Sequence, residues 1–136
     1  MTPEQVDLIR KSFDAMWPMR RDIADVCYSR FFELAPDARD LFVGDIEQQR
    51  MKLMDMIAAL VGSLDERPLF QSIVTNSGRK HARFGVQPSQ YVAMGEALMW
   101  SLECKFGASF TSELRESWRA LYATVQLEML RAAAET

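Results

Sequence analysis

His81 is the only histidine in a chain of 136 residues. Imidazole is the commonest metal ligand and the side chain that titrates near neutral pH, so His81 is the first residue to weigh for chemistry. Ser77 stands four positions before it, and Phe70, Ile73 and Val74 fall at helical spacing upstream. Residues three and four apart share one face of an α-helix. His81 is therefore expected in the last turn of a short amphipathic helix, on the inward side with Ile73 and Ser77, and Gly85 is expected to close that helix. Spacing alone leaves two roles open: a metal ligand, or a histidine without chemical consequence. Two further polar side chains stand beside apolar stripes. Tyr28 adjoins Ile23, Cys27, Phe31 and Leu34, and a buried phenol seeks a hydrogen bond. Gln49 heads the stripe Leu53, Met56, Ile57 and Leu60, and either reaches solvent at the helix end or meets something polar inside.

The elements that would position these groups are all helical. Thr2 caps a first helix, with Pro3 in its first turn, Gln5 closing a capping box and Val6, Ile9, Phe13 and Met16 as its core stripe. Trp17-Pro18 breaks it. A second helix is expected over 19–35, then a short helical turn over 36–42 ending in a buried Leu41-Phe42 pair, with Val43-Gly44-Asp45 as the next break. Asp45 caps a third helix, with Gln48 three residues on, running to about Leu64. The His81 helix follows the polar connector 65–68. Gln87-Pro88-Ser89 opens a helix with Tyr91, Met94, Leu98 and Leu102 inward. Thr111-Ser112-Glu113 opens the last, with Leu114, Trp118, Leu121, Tyr122, Val125 and Met129 inward. The expected fold is all-α, one domain over 1–136, with roughly seven helices including the short turn.

Composition narrows the function classes. Apolar content of 49% supplies one core for a chain of this length. The net charge is −3 and no run of Lys and Arg forms a basic tract, which argues against nucleic acid as main partner. Cys27 and Cys104 give no disulfide framework, the longest apolar run (56–61) is far too short to span a bilayer, and charges at Glu4, Asp7, Arg10 and Lys11 exclude a signal sequence. A cytoplasmic location without membrane contact is expected.

Taken together, the ordered motifs are specific. They are Tyr28-Ser29-Arg30-Phe31-Phe32-Glu33-Leu34 through Pro36, Leu41-Phe42, Arg50-Met51-Lys52-Leu53-Met54 with Val61, and Gly78-Arg79-Lys80-His81 with Phe84-Gly85-Val86. Further on come Tyr91, Gly95-Glu96-Ala97-Leu98, Phe110-Thr111, Trp118 and Tyr122. In this order and spacing the chain resembles a bacterial single-domain globin over essentially its whole length. The resemblance implies a globin fold around heme b, with His81 as proximal iron ligand. It implies Phe42 on the heme face, Gln49 at the distal position, Leu53 one turn on, and Tyr28 facing the pocket. Val86 and Tyr91 would form the proximal wall, and Met94 would join the cofactor-facing set. Lys52 and Lys80 would either pair with the heme propionates or simply be solvated.

Granted heme, one histidine makes bis-histidine ligation within the chain impossible, so the distal site is expected to be open to O2, NO or CO. Neuroglobin-like proteins, similar in several motifs, often close that site with a second histidine. Tyr28, Gln49 and Leu53 are similar to the distal set of flavohemoglobin globin domains, which hold O2 tightly and oxidise nitric oxide to nitrate. A phenol and an amide NH can both donate to the partial negative charge on bound O2. One such bond is worth about 1.5–3 kcal/mol, which slows O2 loss roughly 10- to 100-fold. Slow O2 release is therefore expected. The proximal glutamate of flavohemoglobins is missing, since its place falls in 131–134, which holds no acid. The chain also ends at Thr136 without a reductase domain or a glycine-rich nucleotide fingerprint, so turnover would require an external reductase. The expected function is reversible O2 binding or transport by a monomer or weak homodimer. The alternatives are nitric oxide dioxygenation with an external reductase, gas sensing through a partner, and a cofactor-free helical interaction module.

Overall fold

The computed structural model describes residues 1–42 and 44–135, so the expected break at Val43 lies in part outside the described residues. The described residues form six α-helices: α1 (Pro3–Met16), α2 (Arg20–Leu34), α3 (Ile46–Gly62), α4 (Arg67–Arg83), α5 (Pro88–Phe106) and α6 (Ser112–Ala134). No strand occurs among the described residues. The expected seventh helix over 36–42 is instead a 3-10 segment, Pro36–Leu41, and Phe42 is already extended. Shorter 3-10 segments over Trp17–Met19 and Gly107–Ser109 extend α1 and α5.

Local chemistry sets the helix ends. Thr2 and Gln5 form the reciprocal capping box of α1. Asp45 and Thr111 cap α3 and α6 by accepting from the amides of Glu47 and Leu114. At the end of α4 the Gly85 amide bonds to the Ala82 carbonyl and the Val86 amide to that of His81. This closing motif requires a left-handed residue, and Gly85 supplies it at φ +82°.

Packing pairs α2 with α5 and α4 with α6, while α1 lies on α6. The core includes Ile9, Met16, Ile23, Met54, Val74, Leu102 and Trp118, all essentially without exposed surface. One polar bond crosses it: the Trp118 indole donates to the Ser12 hydroxyl at 2.9 Å, which in turn donates to the Ile9 carbonyl. Two expectations fail here. Leu34, placed on the buried side of α2, is 44% exposed; the helix ends at Leu34, and its inner face runs through Tyr28, Phe31, Phe32 and Ala35. Leu41 and Phe42 are half-buried, because the chain leaves the core where the 3-10 segment ends. Of the two cysteines, Cys27 is buried and Cys104 exposed, and no disulfide joins them.

Candidate functional site

His81 sits in the last turn of α4, partly buried, its place fixed from both ends of that turn. Below it, Nδ1 lies 2.7 Å from the carbonyl oxygen of Ser77. A carbonyl only accepts, so Nδ1 carries the proton and Nε2 keeps its lone pair. Nε2 has no protein partner among the described residues. Above it, the His81 carbonyl takes the Val86 amide. The imidazole stacks on Tyr91 of α5, with centroids 5.8 Å apart and planes 29° off parallel. Tyr91 is buried, its hydroxyl has no hydrogen-bond partner, and burial raises its pKa. Tyr122 of α6 fixes the backbone there by donating its hydroxyl to the Tyr91 carbonyl.

A second cluster forms where α2, α3 and the 3-10 segment meet. Phe42 stands edge-on to Tyr28 and Phe32, at 5.5 Å from each ring and about perpendicular to both. The buried Tyr28 hydroxyl donates to the Gln49 backbone carbonyl at 3.3 Å, long for an O–H···O bond and so readily given up. Burial pushes the Tyr28 pKa up, so it remains a neutral donor. The half-buried Gln49 amide has no protein partner among the described residues. Arg50, without an expected role of its own, holds this corner together by reaching Asp25 of α2 at 3.2 Å and Glu47 at 3.3 Å. Only the tertiary fold pairs Arg50 with Asp25, so no local signal could have found it.

Between the two clusters α4 meets α3 only sparsely. Apolar residues on either side, Phe42, Leu53, Met56, Val86 and Met94, pack on the core yet are only partly buried. Met94 also accepts the Cys27 thiol at 3.6 Å. Lys52 and Lys80 are exposed and form no ion pair with a described residue. The close approach of α4 to α6 escaped the sequence reading altogether. A Cβ on Gly78 would lie 2.6 Å from the Met129 carbonyl oxygen, so only glycine lets the helices cross this tightly three residues before His81. A glycine inside a helical pattern was the available signal.

The donor set tests what group this cleft could hold. Among the described residues no three His, Cys, Asp or Glu side chains gather as a metal site. A single imidazole cannot retain a bare ion, so the other donors must come with the ligand. A half-buried apolar seam, one oriented imidazole and free cations at Lys52 and Lys80 fit a planar, apolar, carboxylate-bearing macrocycle such as heme.

Known proteins agree with this architecture. The globin family model matches residues 26–129. Neuroglobin of Tetraodon nigroviridis is 30% identical, over 96% of this chain and 91% of that protein, and neuroglobin of Danio rerio is 30% identical, over 91% and 87%. Among solved structures, a hexacoordinated heme protein from an anhydrobiotic tardigrade superimposes with a TM-score of 0.89 at 15% identity, covering 98% of this chain and 96% of that one. A flavohemoglobin from Malassezia yamatoensis gives 0.82 at 17% identity, covering 98% of this chain and 37% of that one. With both the sequence pattern and the helical framework in agreement, the chain belongs to the globin family.

Proposed function

We propose that this globin binds heme b through His81 and takes a diatomic gas, O2 above all, at a distal site lined by Tyr28 and Gln49. The observation that carries the proposal is the 2.7 Å contact between His81 Nδ1 and the Ser77 carbonyl. It leaves Nε2 as the lone-pair nitrogen and holds the ring in one orientation, which is what a proximal ligand requires. The heme, when bound, supplies a ferrous iron able to take O2, NO or CO.

The protein does the rest. Phe42 and Leu53 exclude water from the distal side. The Gln49 amide is free to donate to a gas ligand, whereas the Tyr28 proton must first leave the Gln49 carbonyl, since a hydroxyl donates once. The tardigrade protein is named as hexacoordinated, but in these 136 residues no second histidine exists to fill the sixth position. We take the described chain to act as one globin domain. No helix of the described residues is long and apolar enough to cross a membrane.

An absorption spectrum of the purified protein tests the proposal: an intense Soret band that shifts with CO is expected, and His81→Ala should abolish it. A flat spectrum after heme reconstitution would refute it and favour the cofactor-free interaction module. Nitric oxide dioxygenation with an external reductase is a second reading, favoured by the adjacency of Tyr28 and Gln49. Rapid mixing of the O2-loaded protein with NO should then yield nitrate.

A further inference from the structure

The acids of this chain are unevenly placed. Between Arg67 and Gly95 there is no Asp or Glu, yet Arg67, Arg79, Lys80 and Arg83 all fall there, in a chain whose net charge is −3. All four cations are exposed and none forms an ion pair with a described residue. Elsewhere Arg10, Lys11, Arg30, Arg50, Lys105, Arg115, Arg119 and Arg131 are each matched to a carboxylate, and the other cations without an ion pair to a described residue, Arg20, Arg21, Arg39 and Lys52, are spread over α2, the 3-10 segment and α3 with acids among them. At the end of the same helix Phe84 is 72% exposed, the most exposed of the described large apolar side chains. Of the acids on neighbouring elements, Asp37 accepts from Gln90 at the start of α5, and Glu128 of α6 accepts from Gln71, two turns before Arg79 on α4, and from Arg131.

We propose that the end of α4, formed by Arg79, Arg83 and Phe84, is a docking surface for an acidic protein that delivers single electrons. The proposal rests on the heme reading above. Unpaired cations on a helix that carries no acid of its own attract an acidic partner over several ångströms and steer its approach. An exposed aromatic ring among them gives the encounter an apolar anchor, as at the centre of protein interfaces. Arg79 and Lys80 directly precede His81, so the docked partner stands over the residue that would hold the iron. In each encounter the donor's reduced flavin gives up one electron and the ferric iron gains it; no bond forms or breaks. Membrane attachment through the same cations is less favoured, because polybasic lipid-binding segments carry about 4–8 clustered cations, whereas three cluster here.

The test uses the full chain reconstituted with heme and a flavodoxin, an acidic one-electron carrier, as probe. Affinity is measured by calorimetry at low and high salt, and reduction of the ferric protein by fully reduced flavodoxin is followed in parallel. Arg79→Glu/Arg83→Glu should weaken binding by about tenfold or more at low salt and remove most of its salt dependence. Reduction by photoreduced riboflavin, a small donor with no acidic protein surface to dock, should stay unchanged. Arg79→Gln/Arg83→Gln should give an intermediate loss, and serves if the reversal variant does not fold. Equal affinities for wild type and both variants would overturn the proposal. So would loss of sedimentation with anionic phosphatidylserine vesicles while flavodoxin affinity holds. If no heme loads, the heme reading fails, yet the affinity measurement still decides the docking surface.

Discussion

Tyr91 lies stacked against His81 with its hydroxyl buried and without a hydrogen-bond partner among the described residues. A buried hydroxyl left without a partner costs about 1–3 kcal/mol, whereas the ring contributes packing that phenylalanine would keep. Tyr91→Phe should therefore raise thermal stability, by about 1 kcal/mol, with the imidazole still oriented by Ser77. Thermal unfolding of both proteins checks this. A loss of 1 kcal/mol or more would mean that the hydroxyl has a partner in solution.

On the distal side, Tyr28→Phe should speed O2 dissociation by about tenfold, the lower end of what one donor to a charged acceptor can supply. The lower end applies because the Tyr28 proton must be withdrawn from the Gln49 carbonyl. Gln49→Leu, which removes a free amide, should have an effect at least as large. Stopped-flow dissociation rates decide the matter, and fast release that is the same in wild type and Tyr28→Phe would refute a donor role for the phenol.

Gly78→Ala separates helix propensity from packing. On an open helix face the change would stabilise by about 1 kcal/mol. Here the new methyl would meet the Met129 backbone at 2.6 Å, and backbone cannot step aside as a flexible side chain can. A net destabilisation of about 1–3 kcal/mol is expected, with disturbed heme uptake because α4 must shift along α6. Chemical denaturation alongside a heme titration would show both effects. An alanine variant at least as stable as wild type would contradict this close crossing.

The cysteines should behave oppositely. Burial pushes the Cys27 thiol up to about 12, partly offset by a bond with Ser101, while Cys104 is exposed. A thiol reagent at pH 8 should modify one cysteine in the folded protein and two in denaturant. The raised Cys27 pKa also fixes the sign of an alkaline effect. Below the unfolded value of 9.0 both states keep the proton; above it the unfolded state ionises first, so stability falls as pH rises toward 12. Tyr28, Tyr91 and Tyr122, all raised by burial, add to that loss above pH 10. Denaturation midpoints that stay flat from pH 8 to 11 would count against it.

What could be read from the sequence follows the range of the interactions. The caps at Thr2, Asp45 and Thr111, the Gly85 stop, and the shared helix face of Ser77 and His81 all lie within five residues along the chain, and each is legible in the sequence. The failures lie where distant segments decide. Leu34 falls on an i, i+3, i+4 stripe, yet at the last residue of α2 the buried face runs through Phe31, Phe32 and Ala35 and leaves Leu34 exposed. The Trp118–Ser12 bond joins residues 106 apart, and Arg50–Asp25 joins two helices, so neither leaves a local trace. The distal assignment of Tyr28 and Gln49 came from family resemblance; their contact is a product of how α2 and α3 meet.

The helix that carries His81 leans on α6 and barely touches α3. Mechanically it is a beam clamped along one side, and its tightest clamp is at Gly78, less than one turn from the imidazole. Any force on that ring would load the α4–α6 seam before it reached the far wall of the cleft. The compliance of the site is thus set outside the pocket, by backbone contacts of the last helix, and substitutions at Met129 or Ala132 would tune it without touching a single pocket residue.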